Sequence, residues 1–208
     1  MRVAVLVSGE GSNLQAIIDQ VHGRDGVELV AVASNRAEAR GLDRARAAGV
    51  ETGVFAADGR ADRERRDDEL AGWLEQRGVD LVVLAGFMEL LGGAFIRRFA
   101  GRIVNVHPSL LPAFPGVRAV EQALEYGAKL GGVTVHYVDE GVDSGAIIMQ
   151  EAFEFPYSRD IAAIEERIHE IEHRLLPRAV RLIAAGAVRV DPADPRNVIV
   201  EEGRHGDD

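Results

Sequence analysis

Apolar positions fall into short continuous runs in the first half of the chain. Residues 2–8 (RVAVLVS), 27–34 (VELVAVAS), 79–86 (VDLVVLAG) and 102–107 (RIVNVH) are each apolar and rich in β-branched residues. Runs of that length read as strands buried on both faces. Between them the period changes. Leu14, Ile17, Ile18 and Val21 lie on one helical face after Gly9, Gly11 and Ser12. Residues 39–49 read as a helix stopped by Gly49, residues 50–55 as a short strand, and residues 60–78 as a charged helix with Leu70, Trp73 and Leu74 inward. A short helix near 93–100 precedes the fourth clear strand.

Strand alternating with helix predicts a mostly parallel, twisted sheet with helices on both faces and right-handed crossovers. In such a sheet, ligands bind outside the carboxyl ends of the strands. The loops 9–13, 86–91 and 105–115 all follow strands, so they should meet on one edge. The second half is patterned differently. Residues 131–139 alternate Val133, Val135 and Tyr137 against Thr134, His136 and Val138, and residues 145–155 follow a five-residue turn. This predicts an antiparallel pair extending the sheet. Ile161, Ile164, Ile168, Ile171 and Leu175 then form a long helical stripe. AVRV (187–190) is a candidate last strand, and residues 191–208 read as a loosely held acidic tail rich in Pro and Asp.

Composition narrows the function classes. The 208 residues suit one α/β domain, and there is no cysteine, which excludes disulfides, thiolate metal sites and a cysteine nucleophile. No signal peptide or membrane-length apolar run is visible, and a cytoplasmic protein fits. The formal charge is -10. Six acids against two arginines after Val190 account for four of those charges. The remainder still argues against a nucleic-acid partner, which needs a basic face.

Three motifs carry candidate chemistry. SGEGSN (8–13) ends a strand and opens a helix, where Gly11, Ser12 and Asn13 would offer free N–H groups to an anion. Leu14 replaces the third glycine of a dinucleotide fingerprint and no acid ends the second strand, so a phosphate monoester is favoured. A plain tight turn with a Ser or Asn cap is the competing reading. HEIEH (169–173) matches a zinc-protease pattern, but it flanks the apolar stripe and lacks a third ligand. No metal is expected there; a solvated helix face is the simpler account. In IVNVHPSLLPAFPG (103–116), Asn105 and His107 lie two apart on a strand and so share a face. Two convergent donors suit a developing oxyanion, and Asp143 in GVDSG is a candidate acid partner.

VLVSGEGSNLQAIID, VVLAGFMELL, NVHPSLLPAFPG and GVTVHYVDEGVDSGAII occur in this order and spacing. Together they closely resemble the phosphoribosylglycinamide formyltransferase family, from Met1 to about residue 190. The resemblance implies a single-domain, Rossmann-like formyltransferase fold over 1–190, followed by the tail 191–208. It implies formyl transfer from the co-substrate 10-formyltetrahydrofolate to glycinamide ribonucleotide in purine biosynthesis. Asn105, His107 and Asp143 would be the catalytic triad, and Gly11, Ser12, Asn13 and Glu172 would hold the ribonucleotide. Arg63, Met88, Glu89, Leu90, Leu91 and Asn105, with Asp139, Glu140, Gly141, Val142 and Asp143, would face the folate. Two departures stand out: Glu89 where bacterial relatives often carry arginine, and Ala113 where many carry lysine. The implied partners are small molecules only, with a monomer or homodimer both compatible. A tRNA formyltransferase would call for a basic surface and a further domain. A formyltetrahydrofolate hydrolase would call for an N-terminal regulatory domain.

Overall fold

A computed structural model describes residues 1–156, 158 and 160–201. Seven strands form one sheet: β1 (Arg2–Val7), β2 (Glu28–Ser34), β3 (Glu51–Val54), β4 (Leu81–Leu84), β5 (Ile103–His107), β6 (Leu130–Tyr137) and β7 (Ile147–Glu154). Their order is β3-β2-β1-β4-β5-β6-β7. The first five are parallel and the last two antiparallel, as the change of pattern predicts. The chain winds outward from β1 in both directions, so the topological switch point lies between β1 and β4.

Alternation within the central strand builds two cores. Val3, Val5 and Val7 point into one layer, with α1 (Ser12–Gln20), α2 (Arg40–Ala47) and α6 (Ile161–Ala184) over it. Ala4 and Leu6 point into the other, under α3 (Arg60–Gln76) and α4 (Gly93–Arg98). The stripe Ile164, Ile168, Ile171 and Leu175 is the buried face of α6, and Asp160 caps that helix by accepting from the Ala162 and Ala163 amides. Among the described residues no helix is long and apolar enough to cross a membrane.

Two elements differ from the sequence expectation. α5 (Ala119–Tyr126) follows the proline-rich loop, where no helix is expected. Its eight residues are too few for a clear periodic signal, and it buries only Ala119, Val120, Ala123 and Leu124. Residues expected to be a loose tail instead form β9 (Asp194–Val200), paired antiparallel with β8 (Val188–Asp191) across a short turn. Alternation was hidden there by the exposed half of the hairpin, while Val188 and Val198 pack on the main core. Residues 202–208 of the expected tail lie outside the described residues.

The turn from β6 to β7 depends on one glycine. A Cβ at Gly145 would lie 1.9 Å from the Tyr137 carbonyl oxygen. Gly145→Ala should therefore destabilise the fold by about 1–3 kcal/mol or more through overpacking. The check is a lowered denaturant midpoint at unchanged slope; a midpoint equal to the parent's would show that the turn has slack.

Candidate active site

Loops at the carboxyl ends of β1, β4 and β5 meet on one edge, together with the β6–β7 turn and one face of α6. Two clefts result. The first is lined by Ser8 to Asn13, Arg36, Gly86, Met88, Pro108, His169 and Glu172. The second lies between Leu84, Phe87, Glu89 to Leu91, Asn105, His136 and the segment Val138 to Ser144.

The first cleft is built around the start of α1. Gly11 caps the helix in the left-handed conformation, φ 72°, with no side-chain cap. A Cβ there would lie 2.6 Å from the Gly41 Cα, so this position suits only glycine. With no capping side chain present, the helix start presents amides to the cleft and its dipole favours an anion. Asn13 Nδ2 donates to Glu172 Oε2 at 2.9 Å, and Asn13 Oδ1 is buried without a partner. Glu172, a buried carboxyl, is thus turned inward from α6. Burial pushes its pKa above the ordinary glutamate range, against the smaller lowering influences of Asn13 and His169. The imidazoles of His169 and His173 lie parallel with ring centres 6.0 Å apart. Among the described residues no group of three His, Cys, Asp or Glu side chains is arranged to hold a metal ion.

At the junction of the clefts stand the three residues expected to act together. His107 Nε2 donates to the Phe114 carbonyl at 2.9 Å, which leaves Nδ1 facing Asp143 Oδ2 at 3.4 Å. Asn105 Nδ2 lies 3.4 Å from Asp143 Oδ1. The backbone amide of Gly116 donates to Asp143 Oδ2 at 2.7 Å. Burial alone would raise the Asp143 pKa. The imidazole of His136, the Gly116 amide and the charges of His107 and His136 outweigh it and hold the carboxyl below its ordinary range. Asp143 itself sits at φ 49°, in the left-handed region. The Leu111–Pro112 peptide is cis.

His136 was not among the expected site residues. Its Nδ1 donates to the Tyr137 carbonyl at 2.8 Å, and its Nε2 lies 3.2 Å from Asn105 Nδ2 and 3.6 Å from Asp143 Oδ1. The signal was present in outline. Residues directly opposite in an antiparallel pair share a face, and His136 pairs with Asn105. The register, however, becomes known only from the sheet. Arg36 and His169 are further first-cleft residues that the motifs did not single out as ligand-facing.

Of the residues expected to face folate, Glu89, Leu90, Leu91, Asn105 and Asp139 to Asp143 line the second cleft. Met88 does not; it lines the first cleft. Asp139 Oδ1 accepts from the Gly141 amide at 3.0 Å and the Ser144 hydroxyl at 2.6 Å, which folds the segment back on itself. Glu140 pairs with Arg97 at 2.8 Å. Arg63 stands at the rim, its Nη2 3.9 Å from Glu89 Oε2 and its buried Nε without a partner. The unusual Glu89 is thus matched by a cation on α3. Ala113 leaves its backbone amide on the Leu110 carbonyl and its own carbonyl accepting from the Ser109 hydroxyl, contacts that do not depend on side-chain identity.

Comparison with known proteins agrees with this architecture. A family model described as Formyl transferase matches residues 1–180. The chain is 40% identical over 190 residues to phosphoribosylglycinamide formyltransferase of Haemophilus influenzae, covering 91% of this chain and 90% of that protein. It is 49% identical over 191 residues to the trifunctional purine biosynthetic protein adenosine-3 of Drosophila pseudoobscura pseudoobscura. That match covers 90% of this chain but only 14% of the longer protein. A solved structure of glycinamide ribonucleotide transformylase 1 from Symbiobacterium toebii matches with a TM-score of 0.89 at 44% identity, over 97% of this chain and 94% of that one. At this identity and coverage, the chain belongs to the phosphoribosylglycinamide formyltransferases, within the formyl transferase family.

Proposed function

We propose that the protein transfers the formyl group of 10-formyltetrahydrofolate to the amine of glycinamide ribonucleotide, a step of purine biosynthesis. The observation that carries this reading is the convergence of Asn105, His107 and Asp143 where the two clefts meet. The start of α1 suits the ribonucleotide phosphate, and Glu172 stands where it can accept from the sugar hydroxyls. The second cleft, with Leu84, Phe87, Leu90, Leu91 and Ile96 along its walls, suits a flat heterocycle. The co-substrate's formyl group would then lie beside the amine at the junction.

Attack of the amine on the formyl carbon places negative charge on the former carbonyl oxygen. Asn105 Nδ2 and His107 Nδ1 are the donors for it. Because the Phe114 carbonyl holds Nε2, Nδ1 is the working nitrogen of His107. Both donors are 3.4 Å from Asp143, long for hydrogen bonds, so turning toward an oxyanion sacrifices little. Asp143 stabilises the imidazolium electrostatically. As the carbon–nitrogen bond to folate breaks, the proton shed by the amine is delivered to N10 of the leaving folate. The Asp143–His107 pair is placed to move it.

The deciding experiment is formyl transfer with both substrates, followed by absorbance of the tetrahydrofolate product. No turnover with glycinamide ribonucleotide, together with release of formate, would assign a hydrolase instead. That rival has a structural counterpart. A formyltetrahydrofolate deformylase from Pseudomonas syringae matches with a TM-score of 0.88 at 26% identity, over 97% of this chain and 66% of that one.

Asn105→Ala and His107→Ala should each lower kcat by about 10²–10³-fold, the usual cost of one oxyanion donor. Parent rates in either folded variant would remove that residue from the mechanism. Asp143→Asn should lower kcat by about 10²-fold or more. Because the Asp143 pKa is depressed, the parent carboxyl stays ionised below the ordinary aspartate value of about 3.9. An acid limb of kcat seen between pH 5 and 7 should therefore belong to another group. Glu172 has the opposite sign. Its raised pKa contributes stability that is complete below about 4.3, the unfolded glutamate value, and is lost as pH rises through the folded value. Glu172→Gln should thus gain stability relative to the parent as pH rises, while the KM for the ribonucleotide increases. Urea melts at pH 4 and pH 8 read the first effect and steady-state kinetics the second.

A further inference from the structure

The segment joining β4 to α4 forms one wall of the second cleft, yet much of its own side-chain surface faces solvent. Met88 and Leu90 are 68% and 63% exposed. Its shape is imposed from behind by three buried residues outside the cleft. Ser8 Oγ accepts from the Met88 amide at 2.7 Å while donating to Asn35 Oδ1 at 2.6 Å. Arg66 Nη2 donates to the Leu90 carbonyl at 3.3 Å, with its guanidinium 5.9 Å from the Phe87 ring centre. Asp67 Oδ2 accepts from the Gly92 amide at 2.7 Å, and its Oδ1 accepts from Arg66 Nε at 2.7 Å. The backbone is thus gripped at residues 88, 90 and 92.

Arg66 and Asp67 are only 2% and 3% exposed. Burying an ion pair is costly, and well-packed apolar residues of similar volume are often as stable or more so. Their neighbours on the buried face of α3, Leu70, Ala71 and Leu74, show that this layer accepts apolar side chains. The hydrogen bonds of the pair beyond itself run to the Leu90 and Gly92 backbone. Polar groups that bind a ligand have to be held within about 0.5 Å of their productive geometry, so a backbone wall that receives a flat heterocycle needs such support.

We propose that Ser8, Arg66 and Asp67 are positioning residues for the formyl donor: they hold the backbone of residues 88–92 in the shape that receives it. This rests on the reading that the second cleft takes the folate. Ser8 directly follows β1 and lines the first cleft, so it ties the two clefts together.

The test is the double variant Arg66→Met/Asp67→Leu, which removes both charges together and avoids the unpaired buried charge that either change alone would leave. It should melt cooperatively. Its KM for 10-formyltetrahydrofolate should rise about tenfold, with the KM for glycinamide ribonucleotide held within about twofold. Without ligands, amides 88–92 should exchange with solvent faster than in the parent. A folded double variant with the parent's donor KM, or one in which both KM values rise together, overturns the proposal. If the double variant does not fold, Ser8→Ala decides by exchange: amides 88–92 should exchange faster than in the parent, and unchanged protection refutes the proposal. If the parent itself shows no formyl transfer, the functional reading fails instead. Exchange then decides the cradle, and unchanged protection of 88–92 in the variant refutes it.

Discussion

The carboxylate of Asp143 is the group around which the edge of this sheet is organised. It receives the Gly116 amide, faces both His107 and His136, and stands within reach of the Asn105 amide. Those groups come from β5, from β6 and from the loop leading to α5. A half-buried charge is tolerated there because the surrounding donors and imidazoles offset the loss of water. Satisfying it requires that β6 run antiparallel to β5 and that the turn to β7 fold back tightly. Gly145, packed on the Tyr137 carbonyl, makes that turn possible.

The same edge handles its second carboxylate differently. Glu172 is more deeply buried and has one hydrogen-bond donor, Asn13, so its charged form is disfavoured. The two acids therefore separate in proton affinity, one low and one high, through depth of burial and the number of donors and imidazoles each meets. Asp143 is suited to remain an anion beside an imidazole. Glu172 links α6 to the start of α1 through Asn13.

Much of this was legible before the fold was known. The four apolar runs become four of the five parallel strands because continuous β-branched segments can be buried on both faces. The two-residue spacing of Asn105 and His107 predicts a shared face, and their common approach to Asp143 bears that out. Glu172, one acid of HEIEH, turns inward onto Asn13. Less visible were α5, too short to show a period, and the hairpin of β8 and β9, whose exposed half hid its alternation. Met88 sits one residue from Glu89 but faces the other cleft, a distinction that spacing cannot convey.

Local chemistry alone determined the strand–helix alternation, the glycine turn into α1 and the placement of candidate groups at strand ends. Each depends on periodicity, chirality or the conformational freedom of a few neighbouring residues. Only the tertiary structure decided that Asp143 lies 3.4 Å from His107 Nδ1, that His136 joins them, and that Arg66 and Asp67 reach across to residues 90 and 92. The first and last of those contacts join residues 24 to 36 positions apart, and the place of His136 depends on the register of two strands. Such distances follow from how strands pair and layers pack, and no local preference in the chain specifies them.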